Sequence, residues 1–281
     1  YHKKETRLLC HYCGATLPPP PQPCPACGGE LRYTGVGTQR VEEELQTRFP
    51  TARVLRMDMD TTQTKNSHER LLSAFARGEY DIMIGTQMVA KGLDFPRVSL
   101  VGVLGIDQLL FAQSYRAFER VFSLVTQVVG RGGRADLPGR ALIQTFDPHN
   151  RVLALAAKQD YDAFYEEEIA FRRLHLYPPF CGLCVIRFSA VQEQQAAQAA
   201  AAFGLFLRQE ASANPGLPLR VLGPAPANVA MIHGKYRYKL TVKCRNDKAF
   251  RSLLRAVQRR YTDSPYVGKT AVSIDFNSDS D

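Results

Sequence analysis

The segment Val98-Ser-Leu-Val-Gly-Val-Leu104 is apolar at nearly every position and lies within a stretch that alternates strand-like and helix-like runs. Strands that are apolar on both faces predict a parallel sheet, because the crossover connections of parallel strands place helices over the sheet. The neighbouring runs agree. Helices are predicted over 39–49, where Val41 and Leu45 stand four apart, and over 68–75 and 115–129. Short strands are predicted over 53–56, 81–84 and 140–145, and Met57-Asp58-Met59-Asp60 runs from a strand end into a loop. This alternation predicts an α/β lobe over residues 31–150 with ligands at the carboxyl ends of its strands.

The flanks read differently. Residues 1–30 are rich in Cys, Pro and Gly and lack apolar periodicity, so a hydrophobic core cannot hold them. Residues 151–179 read as a charged helical connector with the acidic run Glu166-Glu-Glu168, ended by Tyr177-Pro-Pro-Phe180. Residues 180–281 read as a small C-terminal α+β domain. Its strands fall at 184–188, 220–222, 235–244 and 272–276, and its helices at 192–210 and 249–261. That order, β-α-β-β-α-β, is the ferredoxin-like split arrangement.

A length of 281 residues fits two domains with a smaller third. The net charge of +9 and pI near 9.3 suit a nucleic-acid partner, with a solvated basic surface as the plainer reading. No apolar run reaches membrane-spanning length. Seven cysteines, odd in number and four of them clustered, argue against a secreted disulfide framework and for a reducing cytoplasm. The chain opens Tyr1-His2-Lys3-Lys4 without Met or a cleavage signal, and is expected to be a portion of a longer one.

Cys10-His-Tyr-Cys13 and Cys24-Pro-Ala-Cys27 have the spacing that turns two thiolates onto one ion. Cys10, Cys13, Cys24 and Cys27 together read as one closed, structural zinc site. His2 and His11 are further possible ligands but are expected at the surface. Cys181-Gly-Leu-Cys184 has the same spacing but opens a strand, where residues three apart face opposite sides. Cys244 reads as a buried small apolar residue.

The run Gln127-Val-Val-Gly130-Arg131-Gly-Gly133-Arg134 sets two arginines among glycines. Guanidinium forks match phosphate oxygens, and glycine lets backbone approach a ligand. Arg131 and Arg134 are the candidate catalytic cations, Arg134 favoured as the finger, and Gln127 one helical turn earlier would orient Arg131. Such a finger is worth about 10³–10⁵ in rate. Upstream, Thr86, Gln87 and Lys91 follow the strand ending at Ile84, and their polar groups suit backbone phosphates. Gly92 and Asp94 lie on the same loop, where Asp94 would couple it to nucleotide or cap the turn before Phe95-Pro96. Thr38 opens a helix, either as an N-cap or as a phosphate contact. Lys235, Arg237 and Lys239 share one face of a strand and Tyr236 and Tyr238 the other. The basic face would track nucleic-acid phosphates, or the strand would bury its tyrosines and simply solvate its charges.

The Ile84–Gln87, Lys91–Pro96 and Gln127–Arg134 segments together resemble the last two motifs of superfamily 2 nucleic-acid helicases. No G-x-x-x-x-G-K-[ST] sequence is present, so the half that grips the triphosphate is missing. With Gly35-Val-Gly-Thr-Gln-Arg-Val-Glu-Glu-Glu-Leu45, Val54-Leu-Arg-Met-Asp58, Tyr177–Phe180 and Val221-Leu-Gly-Pro-Ala-Pro226, the whole chain resembles the primosomal protein N′ family of replication-restart DNA helicases.

That resemblance implies a RecA-like second helicase lobe with a cysteine-rich insert, followed by a C-terminal domain. It implies a 3′→5′ helicase using ATP and Mg²⁺ in the full-length protein, acting in replication restart and primosome assembly at stalled or repaired forks. The implied partners are branched and single-stranded DNA, single-strand-binding protein and other primosome proteins, with no membrane partner, in the nucleoid-associated cytoplasm. The family carries eight zinc cysteines around two interleaved Zn²⁺ ions, and only two of its four pairs occur here. The resemblance therefore assigns Cys10/Cys13 and Cys24/Cys27 to different ions, against the single site read from spacing, and implies one zinc or fewer in this chain. Alanine is usual in the family where Gly132 stands. Alone, the chain is expected to be inactive as a motor. The alternative is a zinc-dependent DNA- and protein-binding assembly module without catalysis.

Overall fold

A computed structural model of the protein describes residues 8–9, 16–18, 37–58, 67–86, 95–129 and 139–277. The chain divides into two compact units, one of residues 32–112 with 116–166, the other of 167–281 with 1–31 and 113–115.

Strands β1 (Leu8–Leu9) and β2 (Thr16–Leu17) pair antiparallel, Leu8 opposite Leu17. The first α/β unit then follows the alternating pattern. Helix α1 (Thr38–Arg48) precedes β3 (Val54–Met57), and α2 (Ser67–Ala76) precedes β4 (Ile82–Gly85). After these come β5 (Leu100–Val103), the one-turn helix α3 (Asp107–Leu110), α4 (Ala117–Val129), β6 (Arg140–Ile143), α5 (Arg151–Ala157) and α6 (Tyr161–His175). Helix α3 has no counterpart in the sequence reading.

Both strand pairs are parallel, β3 with β4 and β5 with β6. The single sheet anticipated from the alternation is not what forms among the described residues, where no ladder joins the two pairs. The expectation that the 98–104 strand is buried on both faces is also corrected. Leu100 is 55% exposed, and Leu142, opposite Gly102, is 62% exposed. The reason is one-sided packing: Val103 and Ile143 lie against the helical core, and among the described residues their alternate neighbours have no such cover.

That core is built by α4, α5 and α6. Val121 and Val125 recur at i and i+4, Phe122 stacks on Phe164 at 4.2 Å, and Val152, Leu153, Leu155 and Ala156 close the cluster. Burying each large side chain contributes about 1.5–3 kcal/mol. Asn150 caps α5 by accepting from the Val152 amide. A smaller cluster, Leu55, Met57 and Leu72, sits between β3 and α2, with Phe75 edge-on to Phe95. Arg53 forks onto Asp81 at 2.8 and 3.0 Å, tying the entry of β3 to that of β4, and this bond holds the Asp81 carboxyl down to about 2.

The second unit holds β7 (Gly182–Ala190), α7 (Glu193–Ala213), β8 (Leu219–Ile232), β9 (Lys235–Cys244), α8 (Lys248–Thr262) and β10 (Ala271–Phe276). They form one antiparallel sheet in the order β10-β7-β9-β8, the split β-α-β arrangement. Strand alternation sends Cys184, Ile186, Phe188, Leu240, Val242 and Cys244 to one face, where both helices pack. Helix α7 presents Ala196, Ala199 and Ala200, small enough for close approach, then Phe203 and Leu207. Helix α8 adds Phe250, Leu253, Leu254, Val257 and Tyr261, and Asp247 caps it by accepting from the Phe250 amide at 2.9 Å. His233 and Gly234, both at positive φ, turn β8 into β9 in the two-residue manner that matches strand twist.

Cys184 and Cys244 are core residues; burial, reinforced for Cys184 by Cys244, pushes their thiols up to about 12 and about 11. Cys181 goes elsewhere, its thiol donating to the Leu176 carbonyl at 2.9 Å. The Cys181–Cys184 spacing therefore does not bring two thiols to one ion.

Gly223 has φ +95°, and a Cβ there would lie 2.9 Å from the Lys239 carbonyl oxygen. G223A is therefore expected to destabilise the protein by at least about 1–2 kcal/mol, read as a lower urea midpoint; an unchanged midpoint would contradict this backbone geometry. Because the thiolate is the nucleophile, iodoacetamide near pH 8 should spare Cys184 and Cys244 until denaturant is added. Mass spectrometry of the native protein checks this, and labelling at either residue would show an accessible thiolate.

Candidate functional site

The parallel register of β3 and β4 pairs Met57 with Gly85. The next residues along each strand, Asp58 and Thr86, therefore leave the sheet at the same carboxyl edge. Helix α1 packs on both strands and starts at that edge. Its N-cap is Gly37, in extended conformation and without a side-chain cap bond. This corrects the reading of Thr38 as an N-cap. Thr38 is the first helical residue, and its hydroxyl instead donates to Asp58 at 2.9 Å.

The bond to Asp58 belongs to a small polar network. The Arg56 guanidinium lies 3.5 Å from the Asp58 carboxylate and 3.3 Å from Glu42. One cation thus faces two carboxylates from adjoining elements at a half-buried edge. The first backbone bond within α1 runs from Val41 to the Gly37 carbonyl at 3.2 Å, so the Thr38 and Gln39 amides have no acceptor inside the helix. Donors at such a helix end, with the dipole behind them, are suited to anions. Thr86 stands exposed at the same edge. Asp58 and its tie to Thr38 were missed as site features; the run ending in Asp58 was visible, but its partner lies 20 residues away.

Gln127 is exposed near the end of α4, on the side opposite the buried Val121, Val125 and Val128. Asp107 also escaped the sequence reading. It accepts from the Thr145 hydroxyl at 2.8 Å and the Phe146 amide at 3.1 Å, joining the exits of β5 and β6. Gln87, Lys91, Gly92, Asp94, Arg131 and Arg134 lie outside the described residues, as do Cys10, Cys13, Cys24 and Cys27. Among the described residues, no group of three or more His, Cys, Asp and Glu is placed to hold a metal ion.

In the second unit, β9 places Lys235, Arg237 and Lys239 on the sheet face away from the helices. Lys235 is exposed; Arg237 and Lys239 are half-buried, donating to the Val229 carbonyl at 3.4 Å and the Asn228 side chain at 2.9 Å. Tyr238 packs toward the helical core and donates to Glu193 at 3.0 Å, which raises its phenol above the usual range. The strand thus divides its side chains between a core face that takes a tyrosine and an outer face that carries the cations. That outer face is closed at the opposite end of the strand, where Lys243 lies 3.9 Å above the Tyr177 ring.

Comparison with known proteins bears on both units. Residues 34–136 match the helicase conserved C-terminal domain family, and residues 173–278 match the primosomal protein N C-terminal domain family. The chain is 44% identical over 278 residues to the replication restart protein PriA of Bacillus subtilis (strain 168), a match covering 99% of this chain and 34% of that protein. It is 50% identical over 185 residues to the PriA of Chlamydia trachomatis serovar D, covering 65% and 25%. With Haemophilus influenzae PriA it shares 36% over 260 residues, covering 92% and 35%. The chain spans about a third of the length of the first of these relatives. A helicase-type α/β unit and a primosomal C-terminal domain, joined in one chain that aligns almost throughout with such relatives, place this protein in the PriA family of replication restart proteins.

Proposed function

We propose that this chain supplies the second motor lobe and the C-terminal domain of an ATP-dependent 3′→5′ DNA helicase. The whole protein would act in replication restart and primosome assembly at stalled or repaired forks. The observation that carries the reading is the carboxyl edge of the β3–β4 pair. There the start of α1, the Thr38–Asp58 bond and the exposed Thr86 converge, and the chain continues directly into Gln87, Lys91, Gly92 and Asp94.

Each residue has a distinct part in this reading. Thr38 through its backbone amide at the helix start, and Thr86, Gln87 and Lys91 through their hydroxyl, amide and ammonium groups, donate to phosphate oxygens of the DNA backbone. Asp94 and Gly92 couple that loop to nucleotide. Gln127 leads from the end of α4 into the Gly130–Arg134 run, where Arg131 and Arg134 face the triphosphate held by another lobe. ATP, bound with Mg²⁺, supplies the phosphoryl group whose transfer drives the motor. The guanidinium of Arg134 stabilises negative charge as it spreads over the phosphoryl oxygens, an effect present only when the lobes close. Cys10, Cys13, Cys24 and Cys27 would hold Zn²⁺ as thiolates in a structural role, the Cys10/Cys13 and Cys24/Cys27 pairs serving different ions in the full-length protein. The basic face of β9 contributes to holding branched and single-stranded DNA. Single-strand-binding protein and other primosome proteins are the protein partners of this reading.

In a protein of the relatives' full length, R134A should reduce ATP hydrolysis by about 10³-fold or more while fork binding persists in a gel-shift assay. Retained hydrolysis would remove the finger role. Replacing Cys10 and Cys13 by Ser in the same protein should leave hydrolysis in place and lower the loading of primosome proteins onto fork DNA. Loss of hydrolysis in that variant would instead make the cysteines part of the motor fold.

A further inference from the structure

Helix α8 carries Lys248, Arg251, Arg255, Arg259 and Arg260 and no acidic residue over Lys248–Thr262. Lys248, Arg251, Arg255 and Arg259 follow one another at spacings of three, four and four, which places them in one row. They lie on the exposed side, opposite Phe250, Leu253, Leu254 and Val257 in the core. The row spans about 16 Å, at 1.5 Å per residue. Arg260 stands apart from it, paired with Glu210 and Gln209. Among the described residues, Lys248, Arg255 and Arg259 have no side-chain hydrogen bond or ion pair.

Stability accounts for Arg259, which stands in the last turn where the dipole favours a cation, but not for the rest of the row. Like charges three and four apart repel, and Lys248 and Arg251 stand in the helix's first turns, where the dipole disfavours cations. A surface helix selected for folding alone interleaves acids, as α1 does with Arg40 four residues before Glu44 on its exposed side. An unbalanced row calls for a polyanion that neutralises it on binding. The composition of the row specifies which. Three of its four cations are arginines, whose forks suit phosphate. The Phe276 ring, 38% exposed, sits beside the row, packed edge-on to Phe250 with the Arg251 guanidinium 5.9 Å from its centre. Cations flanking an exposed ring are the elements of a single-strand platform: phosphates on the forks, a base on the ring.

We infer that the outward face of α8, the row from Lys248 to Arg259 with Phe276 beside Arg251 at its start, is a second single-stranded nucleic-acid track. It lies on the opposite side of the C-terminal domain from the Lys235–Lys239 face, because both helices pack on the other surface of the sheet. One strand would run along α8 while another lies on the sheet, so the domain holds two segments at once. The inference extends the DNA-binding part of the proposed function and rests on it only for the sheet face.

The test uses the full chain, an oligo(dT) of about 20 nucleotides and fluorescence anisotropy over a salt series. R255Q/R259Q should weaken binding and flatten the log–log salt slope by about 1.4, since each single-strand phosphate neutralised by an arginine accounts for about 0.7 of that slope. F276L, which keeps apolar volume and removes the ring, should weaken binding without moving the slope. K235Q/K239Q should weaken binding separately, its effect adding to that of R255Q/R259Q. Weakening by R255Q/R259Q alone supports the α8 track and removes the sheet face. Weakening by K235Q/K239Q alone, with R255Q/R259Q matching the unmodified affinity and slope, overturns the track and leaves the sheet reading standing. A row whose substitution abolishes binding of an acidic protein ligand but not of the oligonucleotide also overturns it.

Discussion

The hydroxyl of Thr38 on the carboxylate of Asp58 is the contact on which the motor-like edge depends. It fixes the first turn of α1 against the exit of β3, and the parallel register of β3 and β4 then puts Thr86 beside it. A helix end, a strand end and the loop that follows are thereby brought together. Arg56 stiffens the arrangement, since its guanidinium is shared between Glu42 on α1 and Asp58. The charge of Asp58 is thus directed at a hydroxyl and a guanidinium, and the backbone amides at the helix start remain oriented for an anion.

The two units solve the same burial problem in different ways. The first uses short parallel pairs, each joined through helices, with most of its core made by α4, α5 and α6. The second uses one antiparallel sheet with both helices on a single face. The sheet's outer side is covered near Leu183, Val185 and Lys243, and towards the other end of β9 it carries charge with Lys235, Arg237 and Lys239. The helices, in turn, face solvent with their outer sides. The C-terminal domain is therefore basic on two opposed surfaces around one apolar centre. Residues 180–281 carry 14 Lys and Arg against 7 Asp and Glu, so most of the chain's +9 resides there.

Much of the architecture was legible in the sequence. The 3.6-residue period of Val121, Val125 and Val128 and the two-residue period of Leu240, Val242 and Cys244 identify helix and strand because burial acts on one face at a time. The split order of the C-terminal domain follows from the sequence of elements, and the observed strand order agrees with it. The 98–104 run misled, because apolar composition reports what a strand tolerates on each face and not what covers it: Val103 meets the core and Leu100 meets solvent.

The sequence alone determined the residue types available for chemistry, the periodicity that assigns each segment to helix or strand, and the charge balance. Those are local properties, set by backbone geometry and side-chain character. Only the tertiary structure decided which distant groups meet. It joined Thr38 to Asp58, Asp107 to Thr145, and Tyr238 to Glu193 across 45 positions. It also separated Cys181 from Cys184, and turned one row of arginines outward while its helix buried Phe250 and Val257. These outcomes depend on strand register and on which face packs, and both are fixed only when the whole core closes.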